Sequence, residues 1–209
     1  MPERIFLSTL LEGPSASVGL DAILKRIEAG EVFVYPTETI YGIGGRADNK
    51  DVERKILRAK KRPPGKSMIL LAGNREMFIR FGVIFPYMAD VLAKHFWPGN
   101  LTMVLPLKNS KETAGVRISG HPLIKAFYGN LETPVFSTSA NLNGQPYIND
   151  PDEIYSIFGD KIDFMIDAGA LPSSPPSTVI KIVSDNKIEL LREGVIPKEK
   201  IMSIVMANM

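Results

Sequence analysis

Two periodicities alternate along the chain. Leu20, Ile23, Leu24 and Ile27 recur at i, i+3, i+4 and i+7, which predicts a helix over residues 20–30 with Gly30 as its stop. Residues 31–35 form a short apolar run closed by Pro36, the pattern of a buried strand. A polar, glycine-bearing loop follows, then a helix over 51–60 and a strand over 68–72. Helices are predicted near 75–81 and 86–96. Strands are predicted over 101–107, 116–118, 134–137, 164–166, 179–183 and 188–191, with helices at 122–128, 152–158 and from 198 onward. The last two strands are separated by Ser184-Asp-Asn-Lys187 and read as a hairpin. Early strands alternate with helices while late ones pair locally, so the expected fold is α/β, a mixed sheet flanked by helices. No repeat, low-complexity tract or shift of composition divides the chain, and residues 1–209 are read as a single domain.

Composition narrows the chemistry. The chain has no cysteine, which removes disulfides, zinc knuckles and a thiol nucleophile and fits a reducing compartment. Two histidines, His95 and His121, argue against a histidine-rich metal site. No apolar run reaches the roughly 18–20 residues that cross a bilayer, and residues 5–11 are too short and too polar for a secretory leader. A soluble, cytoplasmic protein is expected. Lysine and arginine total 25 against 23 aspartates and glutamates, a near balance with an uneven distribution. Lys50, Arg54, Lys55, Arg58, Lys60, Lys61, Arg62 and Lys66 crowd residues 50–66 against only Asp51 and Glu53. Such a field attracts phosphate, on a nucleotide or on RNA. A solvated basic helix face is the plain alternative.

Two glycine motifs are decoys. Gly65-Lys66-Ser67 lacks the earlier glycine of a phosphate loop, since Lys60 stands there, and Pro63 and Pro64 remove backbone donors. Gly42-Ile-Gly-Gly45 lacks the third spaced glycine of a dinucleotide fingerprint. Tyr35-Pro-Thr-Glu-Thr39 is more informative, because it sets Thr37, Glu38 and Thr39 just past a strand, where α/β sheets bind ligands. An ordinary turn capped by threonines would look the same. Lys60-Lys-Arg-Pro63 leaves a helix C-terminus into a proline turn, displaying Arg62 as a planar fork and Lys60 and Lys66 as point charges. Pairing of cations with the helix dipole competes with that reading. Ser137-Thr-Ser-Ala-Asn141 follows another strand and suits a polar ligand, but lacks the flanking glycines of a nucleophile elbow. Arg117, inside a short strand, and Arg192, at the end of another, read either as edge residues in salt contact or as anion clamps opening into a cleft.

The set is more specific than its members. Tyr-Pro-Thr-Glu-Thr at 35–39, Lys-x-Arg-Pro at 60–63, Trp-Pro-Gly at 97–99, Val-Arg-Ile at 116–118 and Ser-x-Ser-Ala-Asn at 137–141 occur in one order. Asp-Ala-Gly at 167–169, Pro-Ser-Thr-Val at 176–179 and Leu-Arg-Glu-Gly at 191–194 complete it. Over nearly its whole length the chain resembles the YrdC family, the threonylcarbamoyl-AMP synthases. Three positions depart from the family's habit of proline: Ser67 after Lys66, Asn100 after Trp-Pro-Gly and Ser119 after Val-Arg-Ile. Longer members carry an extra C-terminal domain, so the resemblance is to the short, single-domain branch.

The resemblance implies a twisted α/β sheet with a concave, basic face. It also implies that L-threonine, bicarbonate and ATP are converted to threonylcarbamoyl-AMP and pyrophosphate. Thr37, Lys66, Arg117, Ser137 and Ser177 would hold threonine and carbamate. Arg58, Lys60, Arg62, Thr113, Ser139, Asn141 and Arg192 would hold ATP, the cations at its phosphates. No residue is assigned as covalent nucleophile or general base. Mg2+ would arrive with ATP, with no metal site built from protein side chains. The implied partners are a downstream threonylcarbamoyl transferase complex and possible direct contact with tRNA, with no membrane. An RNA-binding paralogue of the same fold, without synthase activity, is the alternative.

Overall fold

The computed structural model describes residues 2–12, 16–63, 68–128, 130–185 and 187–208. Ten strands among them form one mixed sheet: β1 (Glu3–Phe6), β2 (Phe33–Pro36), β3 (Tyr41–Arg46), β4 (Ile69–Leu71), β5 (Leu101–Pro106), β6 (Thr113–Arg117), β7 (Val135–Ser139), β8 (Phe164–Asp167), β9 (Thr178–Ser184) and β10 (Lys187–Arg192). Across the sheet the order is β1-β8-β2-β3-β7-β4-β6-β5-β9-β10. The pairs β1–β8, β2–β8, β4–β6 and β5–β9 are parallel. The other neighbours, including the β9–β10 hairpin, are antiparallel.

The two-residue period of the strands divides the sheet into two faces. Val34, Ile43, Leu70, Met103, Val116, Met165 and Ile180 point to one of them. There α3 (Lys50–Ala59) and α7 (Pro151–Phe158) cover β2, β3 and β8, while α4 (Arg75–Arg80), α5 (Tyr87–Phe96) and α8 (Lys198–Ala207) cover the strands beyond β4. The alternate residues Phe33, Tyr35, Leu71, Val135, Phe164 and Ile166 point the other way, under α1 (Leu7–Leu11), α2 (Ala16–Glu28) and α6 (Pro122–Tyr128). Phe33 and Phe164 stack there at 5.0 Å, and burying a side chain of this size contributes roughly 1.5–3 kcal/mol. Those helices stop short of β5, β6 and β9. On this second face Thr102, Val104, Thr113, Gly115, Arg117 and Val179 line a cavity instead.

The structure corrects the sequence reading at three places. Residues 41–46, expected as a loop, are β3. Glycines weaken strand propensity, but here they admit close neighbours. A Cβ on Gly42 would lie 3.1 Å from the Tyr35 ring, and one on Gly44 would lie 2.1 Å from the Phe136 carbonyl oxygen. Residues 3–11, where no element was expected, supply β1 and α1. Both are too short for periodicity to register, and β1 is fixed to β8 by register and by Arg4 Nε donating to Asp167 Oδ2 at 2.6 Å. Finally, β6 begins at Thr113 rather than 116, because Thr113-Ala-Gly carries little strand signal of its own.

Candidate functional site

The turn after β2 is closed by Thr37, whose hydroxyl donates to Ile40 O at 2.7 Å and accepts the N–H groups of Thr39 and Ile40 at 3.2 Å. This turn aims Glu38 at the segment following β6. Glu38 Oε2 accepts from Ser119 Oγ at 2.7 Å, and Oε1 accepts from Gly120 N at 2.7 Å. Arg117 Nη2 stands 2.9 Å from Glu38 Oε2 and donates to Asn100 Oδ1 at 2.7 Å, while Nε donates to Gly99 O at 2.8 Å. Its third nitrogen, Nη1, makes no hydrogen bond among the described residues. Burial pushes the Glu38 carboxyl up, but the Arg117 charge, the Ser119 hydroxyl and two backbone N–H groups outweigh it and hold Glu38 below the usual carboxylate range. Burial lowers Arg117 despite Glu38; a guanidinium starts so high that the pair stays ionised. Asn100 and Ser119, two of the departures from the family pattern, are both wired into this pair.

A second wall comes from α3 and β7. Lys61 takes a left-handed φ of 50°, and Arg62 N–H donates back to Leu57 O at 2.9 Å, the usual way a helix end is turned. That reversal carries Arg62 over β7, where Nη1 donates to Thr138 Oγ1 at 3.2 Å. Lys60 goes inward. It is 2% exposed, and Nζ donates to the carbonyls of Ser139 and Asn141, bracing the turn after β7. Burial, then the neighbouring Arg62 charge, pushes this ammonium down to about 7. On the same strand, Ser137 Oγ accepts from Tyr35 OH at 2.7 Å. Tyr35 is itself fully buried against Gly42 and Gly44.

The third wall joins β5, β9 and β10. Thr102 and Ser177 share a hydroxyl–hydroxyl bond of 2.9 Å in a buried setting. Arg192 donates from Nη2 to Ser177 O at 2.9 Å and from Nη1 to Tyr147 OH at 3.3 Å.

These walls enclose a cavity of about 340 Å³. It is lined by Thr37, Arg62, Thr113, Arg117, Ser137, Ser139, Ser177 and Arg192, eight of the twelve residues singled out from sequence. Lys60 and Asn141 line a neighbouring cavity of about 280 Å³, which shares Arg62, Thr138 and Ser139 with the first. Arg58 stays on the exposed side of α3 and lines neither. Lys66 lies outside the described residues. Lys60 needs restating: expected as a point charge displayed to phosphates, it is a buried brace, because two carbonyls capture its ammonium. Asn141 likewise spends its amide nitrogen on Gln145 O, at 2.6 Å, and Leu142 O, at 3.1 Å.

Sequence reasoning gave Tyr35 and Thr102 no part in the site and noted Glu38 and Thr138 only as members of their motifs. Tyr35, Glu38, Thr102 and Thr138 hold Ser137, Arg117, Ser177 and Arg62 respectively. For Thr102 a signal existed, a hydroxyl in an otherwise apolar strand at the parity of the cavity face. The charged residues lining the larger cavity are three arginines, with hydroxyls between them. That donor set suits a polyanion beside a smaller polar ligand.

Comparison with known proteins gives the family. A family model for Sua5, YciO and YrdC, described as telomere recombination, matches residues 25–194. The chain belongs to the Sua5/YciO/YrdC family. It is 32% identical over 188 residues to the threonylcarbamoyl-AMP synthase of Bacillus subtilis, covering 86% of this chain and 54% of that one. The synthase of Photorhabdus laumondii is 36% identical over 169 residues, 72% of this chain and 85% of the relative. Among solved structures, P. abyssi Sua5 complexed with L-threonine superposes with a TM-score of 0.85 at 28% identity, covering 98% of this chain and 60% of that one. E. coli YciO gives 0.78 at 26%, covering 93% and 96%. The chain spans about half the length of the Bacillus relative and of its Pyrococcus abyssi counterpart. No helix among the described residues is long and apolar enough to cross a membrane.

Proposed function

We propose that this chain is an L-threonylcarbamoyladenylate synthase, a nucleotidyltransferase that consumes L-threonine, bicarbonate and ATP and serves tRNA modification in the cytoplasm. The observation that carries the reading is the convergence of Arg62, Arg117 and Arg192 with Ser137, Ser139 and Ser177 on one cavity. The ammonium group of threonine gives up a proton to solvent, and the resulting amine captures bicarbonate with loss of water to give a carbamate. A carbamate oxygen then attacks the α-phosphorus, the bond from that phosphorus to the β-bridging oxygen breaks, and pyrophosphate leaves. No covalent enzyme intermediate is needed; orientation and charge neutralisation suffice.

Each wall has a part. Arg117 offers Nη1 to the amino-acid carboxylate while Glu38 fixes the guanidinium plane. Ser137, whose oxygen already accepts from Tyr35, turns its own proton toward the carbamate. Arg62 stands between the two cavities and neutralises phosphate charge, with the smaller cavity receiving the leaving pyrophosphate. Among the described residues no three His, Asp or Glu side chains gather as a metal site. The three lining arginines suit the phosphates of a nucleotide that brings its own magnesium, which would share in neutralising them. The product is a labile mixed anhydride, which calls for a threonylcarbamoyl transferase complex downstream.

The test is pyrophosphate release from ATP, with threonine or bicarbonate omitted in turn. Release that requires both supports the assignment. Release without threonine, or none under any condition, removes it.

A further inference from the structure

Gly115 sits mid-strand in β6 on the cavity side, and nothing in the fold requires a glycine there. Its φ lies outside the left-handed region, and a Cβ would meet Ile69 Cγ1 at 3.4 Å and Thr102 Cγ2 at 3.7 Å, ordinary van der Waals contacts. Gly44 is the contrast, because its missing Cβ is what lets β7 approach. A glycine inside a strand weakens it unless something must come close. At Gly115 the space is left on the cavity floor.

The register says what that floor is made of. Gly115 pairs with Ile69 on β4 and with Val104 on β5, and all three line the cavity. Neighbouring strands lie about 4.8 Å apart, so the strip from Ile69 across Gly115 to Val104 spans roughly 10 Å of apolar surface, low in the middle. The charged lining groups, Arg62, Arg117 and Arg192, stand around this strip rather than on it. Carboxylate, carbamate and phosphate groups need donors, which side chains of the strip lack. A threonine methyl group would fill only a fraction of it. Of the groups carried by the three substrates, the purine ring alone has flat, uncharged faces of that width.

We propose that Gly115 is a specificity-determining residue, keeping low the middle of the Ile69–Gly115–Val104 strip on which the purine ring of the nucleotide lies. The inference rests on the adenylate-forming reading above. A side chain at 115 lifts the ring off its floor while leaving the phosphate and amino-acid walls in place.

The experiment compares wild type with Gly115→Ala and Gly115→Val, by calorimetric titration with ATP, AMP, inorganic triphosphate and L-threonine, alongside thermal unfolding. A misfitting methyl group in such a pocket is worth roughly 10–200-fold. Gly115→Ala should weaken ATP and AMP by at least about tenfold, with inorganic triphosphate and threonine changed less than about twofold. Its unfolding midpoint should be unchanged or raised. Loss of threonine or triphosphate binding instead, unchanged AMP affinity, or a lowered midpoint in both variants would overturn the proposal. Wild-type protein that binds neither ATP nor threonine would overturn the functional reading itself, and this inference with it.

Discussion

Glu38 is the residue through which the site's electrostatics can be tested most directly. Glu38→Gln keeps the shape and an oxygen for the Gly120 N–H but removes the charge facing Arg117. At 2.9 Å and an effective dielectric near 20, the Coulomb attraction is about 6 kcal/mol before desolvation. Removing one partner of a buried pair costs about 3–5 kcal/mol. The Arg117 side chain is 7% exposed and that of Glu38 22%, and Gly99 O and Asn100 Oδ1 stay in place, so the lower end applies. We expect a loss of about 2–3 kcal/mol in urea unfolding at pH 7, with an unchanged m-value. For a chain of this length that is roughly 4–12 °C in Tm. The folded pKa of Glu38 is depressed, so its contribution is fully present above the ordinary value near 4.5 and disappears as pH falls through the folded value. Wild type and variant should therefore converge in stability in acid. In the role proposed for Arg117 the threonine carboxylate meets the same guanidinium, so saturating threonine should stabilise the variant more than wild type. A stability change under about 0.5 kcal/mol at pH 7, or a gap that persists in acid, refutes the reasoning.

Other perturbations separate the walls of the site. Arg62→Ala should weaken ATP and pyrophosphate by about 10–150-fold, the value of a charge-assisted bond, and leave threonine within about twofold by calorimetry; equal loss of threonine would place Arg62 elsewhere. Lys60, lowered to about 7, should gain up to about one proton when ATP phosphates bind at pH 8, seen as buffer-dependent binding heats that vanish in Lys60→Met. Because the unfolded chain binds that proton more tightly between pH 7 and 10.5, wild-type stability should rise across this window by up to about 1.4 kcal/mol per pH unit more than in Lys60→Met; parallel profiles would contradict this. Gly44→Ala drives a Cβ to 2.1 Å from Phe136 O, so β3 must leave β7 or shift, at a cost of at least about 3 kcal/mol in unfolding experiments. A soluble variant with wild-type stability would show that the strands separate cheaply.

Most of the fold was legible because long helices and apolar strands announce themselves by period. Residues 20–30 and 51–60 contain most of α2 and all but the first residue of α3, and the late strands pair as a hairpin as their spacing implies. What failed was local signal overridden by distant contact. Nothing within residues 41–46 says that Tyr35 will lie across Gly42 or that Phe136 will come within reach of Gly44, so a strand made by its neighbours reads as a loop. The site behaved similarly. Arginines and hydroxyls were visible as residue types, but their partners lie far along the chain, as with Glu38 and Ser119, 81 residues apart, or Thr102 and Ser177, 75 apart. Lys60 shows the limit most plainly. Its motif suggests a displayed charge, while its orientation depends on two carbonyls about 80 residues away.

The location of the cavity follows from a change of residue type along a single face. On β7, Val135 lies in the core with α6, whereas Ser137 and Ser139, two and four residues on and of the same parity, line the cavity. On β4 the same step runs from Leu71 in that core to Ile69 at its border with the cavity. On β6 it runs from Arg117 through Gly115 to Thr113, all of one parity, while Ala114 and Val116 between them face the opposite core. Helices α1, α2 and α6 end where hydroxyls and arginines enter this parity, with Val104, Gly115 and Val179 left among them on the cavity face. Extending that layer would have required apolar residues at Ser137, Thr102 and Ser177, and their hydroxyls, each with a buried partner, hold the uncovered strands in order without a helix above them. These hydroxyls are thus both what stops the helical layer and what holds the uncovered half of the sheet in order.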